Sequence, residues 1–229
     1  MSEERADRIL DAAAELLVAW GYRRVTIEDV ARRAEIGKGT VYLHFKTKER
    51  LFLTVVMREQ ARLVDRLLTA FAADPANVLP SELARLTYLW VHEDVIVHVI
   101  VTGDQETLGA LVRSAEGIGP LMKARGQAIA DYFEILRERG VIRDDLRPDE
   151  QLHAFTAALT GFLNVDPYRM SAEEMSREAK ADLLAYMVRS ALETPDAPAR
   201  ASRAVPQVLD LYRNLRELLV EEISRQKLT

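Results

Sequence analysis

Ile36-Gly-Lys-Gly-Thr-Val-Tyr-Leu-His-Phe45 is the stretch that decides the fold of this chain of 229 residues. Val41 and Phe45 are four positions apart, so both lie on one face of a helix and can anchor it. The other faces carry side chains that can form hydrogen bonds: Lys38, Thr40, Tyr42 and His44. The stretch therefore predicts an anchored helix that presents a cation, polar groups and an aromatic ring outward.

Two further helices are predicted before this stretch. Apolar residues recur at helical spacing from about Glu4 to Ala19, and Gly21 ends that helix. Thr26 can cap a second, short helix, with Asp29 three residues later as a variant of the capping box. A tight turn at 35–37 follows, and the third helix begins at Gly37 or Lys38. Two short helices joined by a tight turn predict a helix-turn-helix, whose second helix enters the major groove of DNA.

The charge distribution favours the same interpretation. The whole chain has a net charge of −5, which argues weakly against nucleic acid. Residues 21–50, however, contain eight basic and four acidic side chains, a local charge of +4. A basic patch on an acidic protein is typical of local phosphate contact.

The ordered pattern from Thr26 to Phe52 resembles the DNA-binding domain of TetR-family transcriptional regulators, and the likeness covers roughly residues 5–55. The resemblance implies a dimeric, all-helical, ligand-responsive repressor that binds a palindromic operator. Glu35 stands where a glycine is frequent, and Gly37 where a serine often caps the recognition helix. The residues expected to contact DNA are Thr26, Gly37, Lys38, Gly39, Thr40, Tyr42, His44 and Lys48.

A fourth helix is predicted from Thr47 to the breaker Asp74-Pro75. Its start would pack on the DNA-binding domain and its end would join the rest of the chain. Movement of its far end could therefore shift the DNA-binding domain. A helix with a purely structural role would show the same sequence pattern.

The remainder of the chain predicts a larger helical domain. Helices are expected at about 81–101, 105–114, 118–139, 148–164, 173–193 and 205–226, with an exposed, mobile linker at 194–204. The β-branched run 95–101 favours a strand by propensity, but a lone buried strand would leave its backbone unpaired. We therefore predict an all-α fold, with a three-helix DNA-binding domain at 1–50 and a helical ligand-binding and dimerisation domain at 51–229.

Helices 148–164 and 173–193 carry apolar faces that, by the family resemblance, would form a four-helix dimer interface. An intramolecular core would show similar periodicity, so the residues alone leave both open. The interface candidates are Leu152, Leu159, Phe162, Leu184, Met187 and Val188.

A small-molecule site is expected among the helices at 81–139, closed by the helix at 148–164. Each candidate there is also a plausible core residue. The aliphatic and aromatic excess favours an apolar or aromatic effector. The candidates are Trp90, His98, Met122, Tyr132, Phe155 and Thr156.

Other classes of function find little support. The chain contains no cysteine, which excludes disulfides and thiolate metal sites. Glu150 and His153 have the spacing used in di-iron bundles, but a second such motif is missing. We expect no enzyme, cofactor or membrane span, and the charged N-terminus favours a cytoplasmic protein. A DNA-binding regulator without a ligand, an activator, or a helical enzyme or carrier are the alternatives.

Overall fold

The computed structural model describes residues 2–102, 118–165 and 175–227, and these form an all-α architecture, as predicted. The α-helices are α1 (Ser2–Arg24), α2 (Ile27–Arg33), α3 (Lys38–His44), α4 (Lys48–Ala73), α5 (Pro80–Val91), α6 (Val95–Thr102), α7 (Ile118–Glu138), α8 (Pro148–Asn164), α9 (Arg177–Leu192) and α10 (Ala197–Lys227). A 3₁₀ turn at Pro75–Val78 precedes α5, and Ile142 forms an isolated antiparallel bridge with Glu193.

The described residues cluster into two compact units. Within the described ranges, the head unit contains residues 2–64, 95–102, 118–123 and 216–227, and the body unit contains residues 65–94, 124–165 and 175–215. Three helices, α4, α7 and α10, therefore contribute residues to both units. The predicted domain boundary at residue 50 lies near the start of α4 and stays a prediction.

The head core is built from α1, α2, α3 and the first part of α4. The anchors Val41 and Phe45 are fully buried in it, as their spacing predicted, and Ile96 of α6 packs into the same cluster. Gly21 takes a φ of 73°, a conformation that favours glycine, and this break is where the first helix was predicted to end. The residues Tyr22–Arg24 add a last helical turn after the break.

The β-branched run is helical, which confirms that prediction. The single helix expected at 81–101 is wrong, because α5 ends at Val91 and α6 begins at Val95. The N–H groups of His92 and Glu93 donate to carbonyls three residues back, at 3.2 and 3.1 Å, and this tighter turn closes α5. The helix expected at 105–114 lies outside the described residues.

The predicted linker at 194–204 is also wrong, because α10 begins at Ala197. Ala197, Ala201 and Ala204 are fully buried on one helical face, where small side chains permit close packing. Arg200 Nη1 donates to the carbonyl oxygen of Gly140 at 2.8 Å, and Thr194 Oγ1 donates to the same oxygen at 2.9 Å. These long-range bonds hold the segment against the loop after α7.

Candidate nucleic-acid interface

The start of α2 is held by the predicted capping box. The N–H of Asp29 donates to Thr26 Oγ1 at 3.2 Å, and the N–H of Thr26 donates to Asp29 Oδ2 at 3.1 Å. The hydrogen bonds from Thr26 hold the pKa of the Asp29 carboxyl below its usual range. Thr26 is exposed, so a partner can reach it while its side-chain oxygen and its N–H complete the cap.

The turn between α2 and α3 depends on Glu35, which has a φ of 56°. The next residue, Ile36, donates its N–H to the carbonyl oxygen of Ala31 at 3.0 Å, which closes the turn. The frequent glycine at this position is explained by that φ, because side chains disfavour the left-handed region. Glu35 is exposed and places a carboxylate beside the candidate interface.

α3 begins without a side-chain cap. Gly37 is its N-cap residue, and the N–H of Thr40 donates to the Gly37 carbonyl oxygen at 2.9 Å. A Cβ at Gly39 would have nothing within 4 Å, so the protein's own packing does not require glycine there. The open space leaves the backbone of this turn accessible to a partner.

The outward face of α3 combines aromatic, cationic and aliphatic groups. Tyr42 is 44% exposed, and Lys38 Nζ lies 5.9 Å from the centroid of its ring. Lys38 also pairs with Glu28 of α2, and this hydrogen bond raises the pKa of the lysine. The pair is exposed, so a phosphate can compete with Glu28 for Lys38.

Leu43 is 73% exposed, but it was not among the contact residues predicted from the sequence. Its position was readable, because it lies two residues from each buried anchor and therefore on the opposite side of α3. An exposed aliphatic group on a recognition helix suits contact with a thymine methyl group. His44 is half-buried, and burial, with a contribution from the charge of Arg5, lowers its pKa.

Lys48 is the first residue of α4, and Thr47 caps that helix by accepting the N–H of Arg50 at 3.2 Å. Burial lowers the pKa of Lys48, whose ammonium group lies over the ring of Tyr22. The α2–turn–α3 segment and the start of α4 thus bring all eight predicted contact residues into the head unit. Their contacts with DNA stay predictions.

The six predicted effector residues occupy different environments. Tyr132 is fully buried and its hydroxyl donates to the carbonyl oxygen of Val78 at 2.9 Å, while Phe155 packs on Phe133 with ring centroids 5.3 Å apart. Both have the contacts of core residues. Thr156 is exposed, His98 belongs to the head unit, and the side chain of Met122 lies outside the described residues.

Trp90 borders an open depression of about 420 Å³ in the body unit. The guanidinium carbon of Arg66 lies 4.5 Å from the centroid of the Trp90 ring, and Arg66 Nη2 lies 2.7 Å from Glu93 Oε2. The depression is lined by Asp65, Arg66, Thr69, Ala70, Ala73 and Trp90. The aromatic ring of Trp90 therefore lies beside one positively charged side chain, Arg66, and one negatively charged side chain, Glu93.

The six predicted interface residues divide between inward and outward positions. Leu159, Leu184 and Val188 are buried within the chain, whereas Leu152 and Phe162 are half-buried. Met187 is exposed, and so are Leu183 and Tyr186 on the same face of α9. The outward apolar surface of α9 is therefore Leu183, Tyr186 and Met187, which we call the α9 stripe.

The described residues also bear on two other functions, metal binding and membrane insertion. No three histidine, aspartate or glutamate side chains there lie close enough together to hold a metal ion. Nor does that part of the chain contain a helix with the length and apolar character that crossing a membrane requires.

Comparison with known proteins supports the helix-turn-helix. Residues 9–55 match the model of the bacterial regulatory proteins of the tetR family. The HTH-type transcriptional regulator YhgD of Bacillus subtilis is 24% identical over 192 residues, which cover 82% of this chain and 96% of YhgD. The regulator QacR of Staphylococcus aureus is 41% identical over 56 residues, but these cover only 24% of this chain and 30% of QacR.

A solved structure extends the likeness beyond the head. The fatty acid degradation regulator FadR of Bacillus halodurans superposes with a TM-score of 0.60 at 18% identity, covering 80% of this chain and 94% of that one. At this identity the match shows a shared fold. The match over residues 9–55 assigns the helix-turn-helix to the tetR family of bacterial regulatory proteins, and the similarity to YhgD over most of the chain supports a TetR-family transcriptional regulator.

Proposed function

We propose that the chain is a ligand-responsive repressor that binds a palindromic operator as a dimer and is released by an apolar or aromatic small molecule. The observation that carries the DNA-binding part is the outward face of α3. Two buried anchors fix that helix, while Lys38, Tyr42 and Leu43 stay exposed. Cationic, hydrogen-bonding and aliphatic groups on one short helix suit phosphates and base edges in the major groove.

The α9 stripe supports the dimer. Three large apolar side chains stay exposed on one helix in the single chain, and burial against a second copy would remove them from water. A two-fold dimer presents two heads, and two heads match two palindromic half-sites.

The depression at Trp90 supports the effector part. The depression is open to solvent, and its volume of about 420 Å³ is large enough to hold part of a small molecule. The Arg66 guanidinium already lies over the indole ring, and an aromatic molecule can stack there in its place. A compound that binds the operator-free form more tightly than the DNA-bound form lowers operator affinity. The factor is the ratio of its affinities for the two forms, whatever the structural route.

Operator binding is tested with a labelled duplex that the wild-type chain selects from a random-sequence pool. We expect the selected sequence to be palindromic, and Tyr42→Ala and Lys48→Ala to weaken binding to it. Selection of no duplex by the wild type would reject the regulator.

Effector release is tested on the same complex with a compound library. The chain has two tryptophans, so a Trp20→Phe background leaves Trp90 as the fluorescent reporter. We expect aromatic or apolar compounds that quench Trp90 to release the duplex, and Trp90→Ala to reduce both effects. A library without any releasing compound would favour a regulator that responds to no small molecule.

A further inference from the structure

Lys48 lies on an aromatic platform formed by two side chains of the head unit. Its Nζ atom is 4.4 Å from the ring centroid of Tyr22 and 6.0 Å from that of Phe52. The two rings meet edge to face, with centroids 5.4 Å apart and planes at 84°. Phe52 is fully buried and Tyr22 nearly so, so the head core holds both rings in place.

The platform restricts a side chain that is usually mobile. An ammonium group over the face of an aromatic ring is attracted by the negative charge density of that face. A lysine loses much rotamer freedom when a partner immobilises its ammonium group, and this loss weakens binding. Because the rings restrict Lys48 beforehand, less freedom remains to be lost when a phosphate binds.

The same tyrosine also holds the neighbouring acid. Tyr22 Oη donates to Glu49 Oε1 at 3.1 Å. A hydrogen bond to its own backbone N–H, with smaller contributions from Thr47 and Tyr22, keeps the pKa of Glu49 below its usual range. The carboxylate is therefore charged, and it is held at the hydroxyl end of a ring whose face carries Lys48. Tyr22 thus holds the Lys48 ammonium group at the face of its ring and the Glu49 carboxylate at its hydroxyl group.

We propose that Tyr22 is a positioning residue for DNA binding, whose ring holds the Lys48 ammonium group in place for a backbone phosphate. The inference rests on the proposed function, in which Lys48 contacts that phosphate. Tyr22 acts through Lys48 and does not itself contact DNA. Its contribution is independent of base sequence, because phosphate contacts carry no direct sequence information.

The test measures affinity and its salt dependence on the duplex selected by the wild-type chain. Removing one phosphate contact with Lys48→Met lowers the slope of log affinity against log salt by about 0.9. We expect Tyr22→Leu to weaken binding roughly threefold to tenfold, as loss of a partly buried cation–aromatic contact implies, and to lower the slope in the same direction. Tyr22→Phe keeps the ring, so it should restore most of the affinity that Tyr22→Leu loses.

Two controls separate positioning from general loss of structure. In the Lys48→Met background, Tyr22→Leu should add less than about a twofold loss, because residues that act through one contact are not additive. Ile9→Ala truncates a fully buried side chain of α1 and should leave the salt slope unchanged. Circular dichroism at the temperature of the binding assay confirms that each variant is folded.

Each outcome decides the question. If the wild type selects no duplex, the proposed function fails. If the wild type binds and Lys48→Met weakens binding, but Tyr22→Leu keeps both affinity and slope, the positioning role is rejected and the proposed function stands. If Lys48→Met has no effect on a duplex that the wild type binds, the positioning role is rejected as well.

Discussion

Glu35 is the residue at which the turn between α2 and α3 carries backbone strain. Its φ of 56° lies in the left-handed region, which costs a residue with a side chain about 1–2 kcal/mol. Its carboxylate is exposed beside the candidate interface, where it opposes phosphate. One side chain therefore works against both local stability and the proposed function, and the two effects can be separated by substitution.

We expect Glu35→Gly to raise the free energy of unfolding by about 0.5–1 kcal/mol, because relief of the strain exceeds the added freedom of the unfolded chain. Glu35→Gln removes the charge and keeps the strain, so its stability should stay within about 0.5 kcal/mol of wild type. Both variants should bind the selected duplex more tightly. Urea denaturation and fluorescence anisotropy measure the two effects, and equal stabilisation by glutamine would contradict the role of the backbone.

His44 predicts a dependence of head stability on pH. Its pKa is lowered in the folded chain, so the unfolded chain binds the proton more readily. The stability that His44 contributes is therefore present above its unfolded pKa of about 6.5 and is lost as the pH falls through the lowered, folded value. Compared with His44→Gln, the wild type should lose more stability between pH 7.5 and about 5.5, as measured by thermal melts. A parallel decline of both proteins would contradict this.

Among the helices, α9 shows how one element can serve two surfaces. Its inward face, with Leu184 and Val188, packs within the body unit. The α9 stripe on its outward face has no such contact with the core. Periodicity identifies an amphipathic helix, but which side faces the chain's own core depends on the elements that pack against it.

This division predicts different consequences for neighbouring residues of α9. Tyr186→Asp and Met187→Asp should each raise the dissociation constant of the proposed dimer by roughly tenfold or more, because a charge would enter an apolar interface. Leu184→Ala should instead lower the free energy of unfolding by about 2–5 kcal/mol, since it leaves a cavity in the chain's core. Sedimentation velocity and urea denaturation distinguish these results. Dimers that resist both aspartate variants would place the interface elsewhere.

At the scale of the whole molecule, α10 brings the C-terminal part of the chain into contact with α1 near its N-terminus. Its first part is buried in the body unit, where Tyr212 packs on Phe71 with ring centroids 5.3 Å apart. Its last part belongs to the head unit, where Leu219 is fully buried and Lys227 Nζ lies 2.8 Å from Asp7 Oδ1. The last helix therefore contributes to the same unit as the DNA-binding helices, as α4 does.

Adjacent leucines on α10 test that contribution. Leu219→Ala should lower the free energy of unfolding by about 2–5 kcal/mol and increase hydrogen exchange of α1 amides, because the head unit loses buried contacts. Leu218 is 53% exposed, so Leu218→Ala should change stability by less than about 0.5 kcal/mol. Equal effects of the two substitutions would show that this end of α10 is not packed in the head unit.

The head could be predicted from the sequence because its signals are local. The Thr26 capping box, the break at Gly21 and the four-residue spacing of Val41 and Phe45 each act within one or two turns of chain. The bounds of α4 and α8 followed from breakers next to them. The helix-turn-helix could therefore be recognised from the order of the residues alone.

The tertiary structure decided what depends on distant partners. The Pro/Ala-rich stretch 194–204 predicted a linker, whereas the close packing of Ala197, Ala201 and Ala204 and the bond from Arg200 to Gly140 place it in the core as part of α10. Periodicity likewise could not divide Leu184 from Met187, or place the ring of Tyr22 beneath Lys48. The sequence by itself determined most of the helices and their apolar faces, because caps and breakers are local, but it missed the break at 92–94 and the start of α10 at Ala197. The structure determined what each face touches, because burial is a property of two surfaces and not of one.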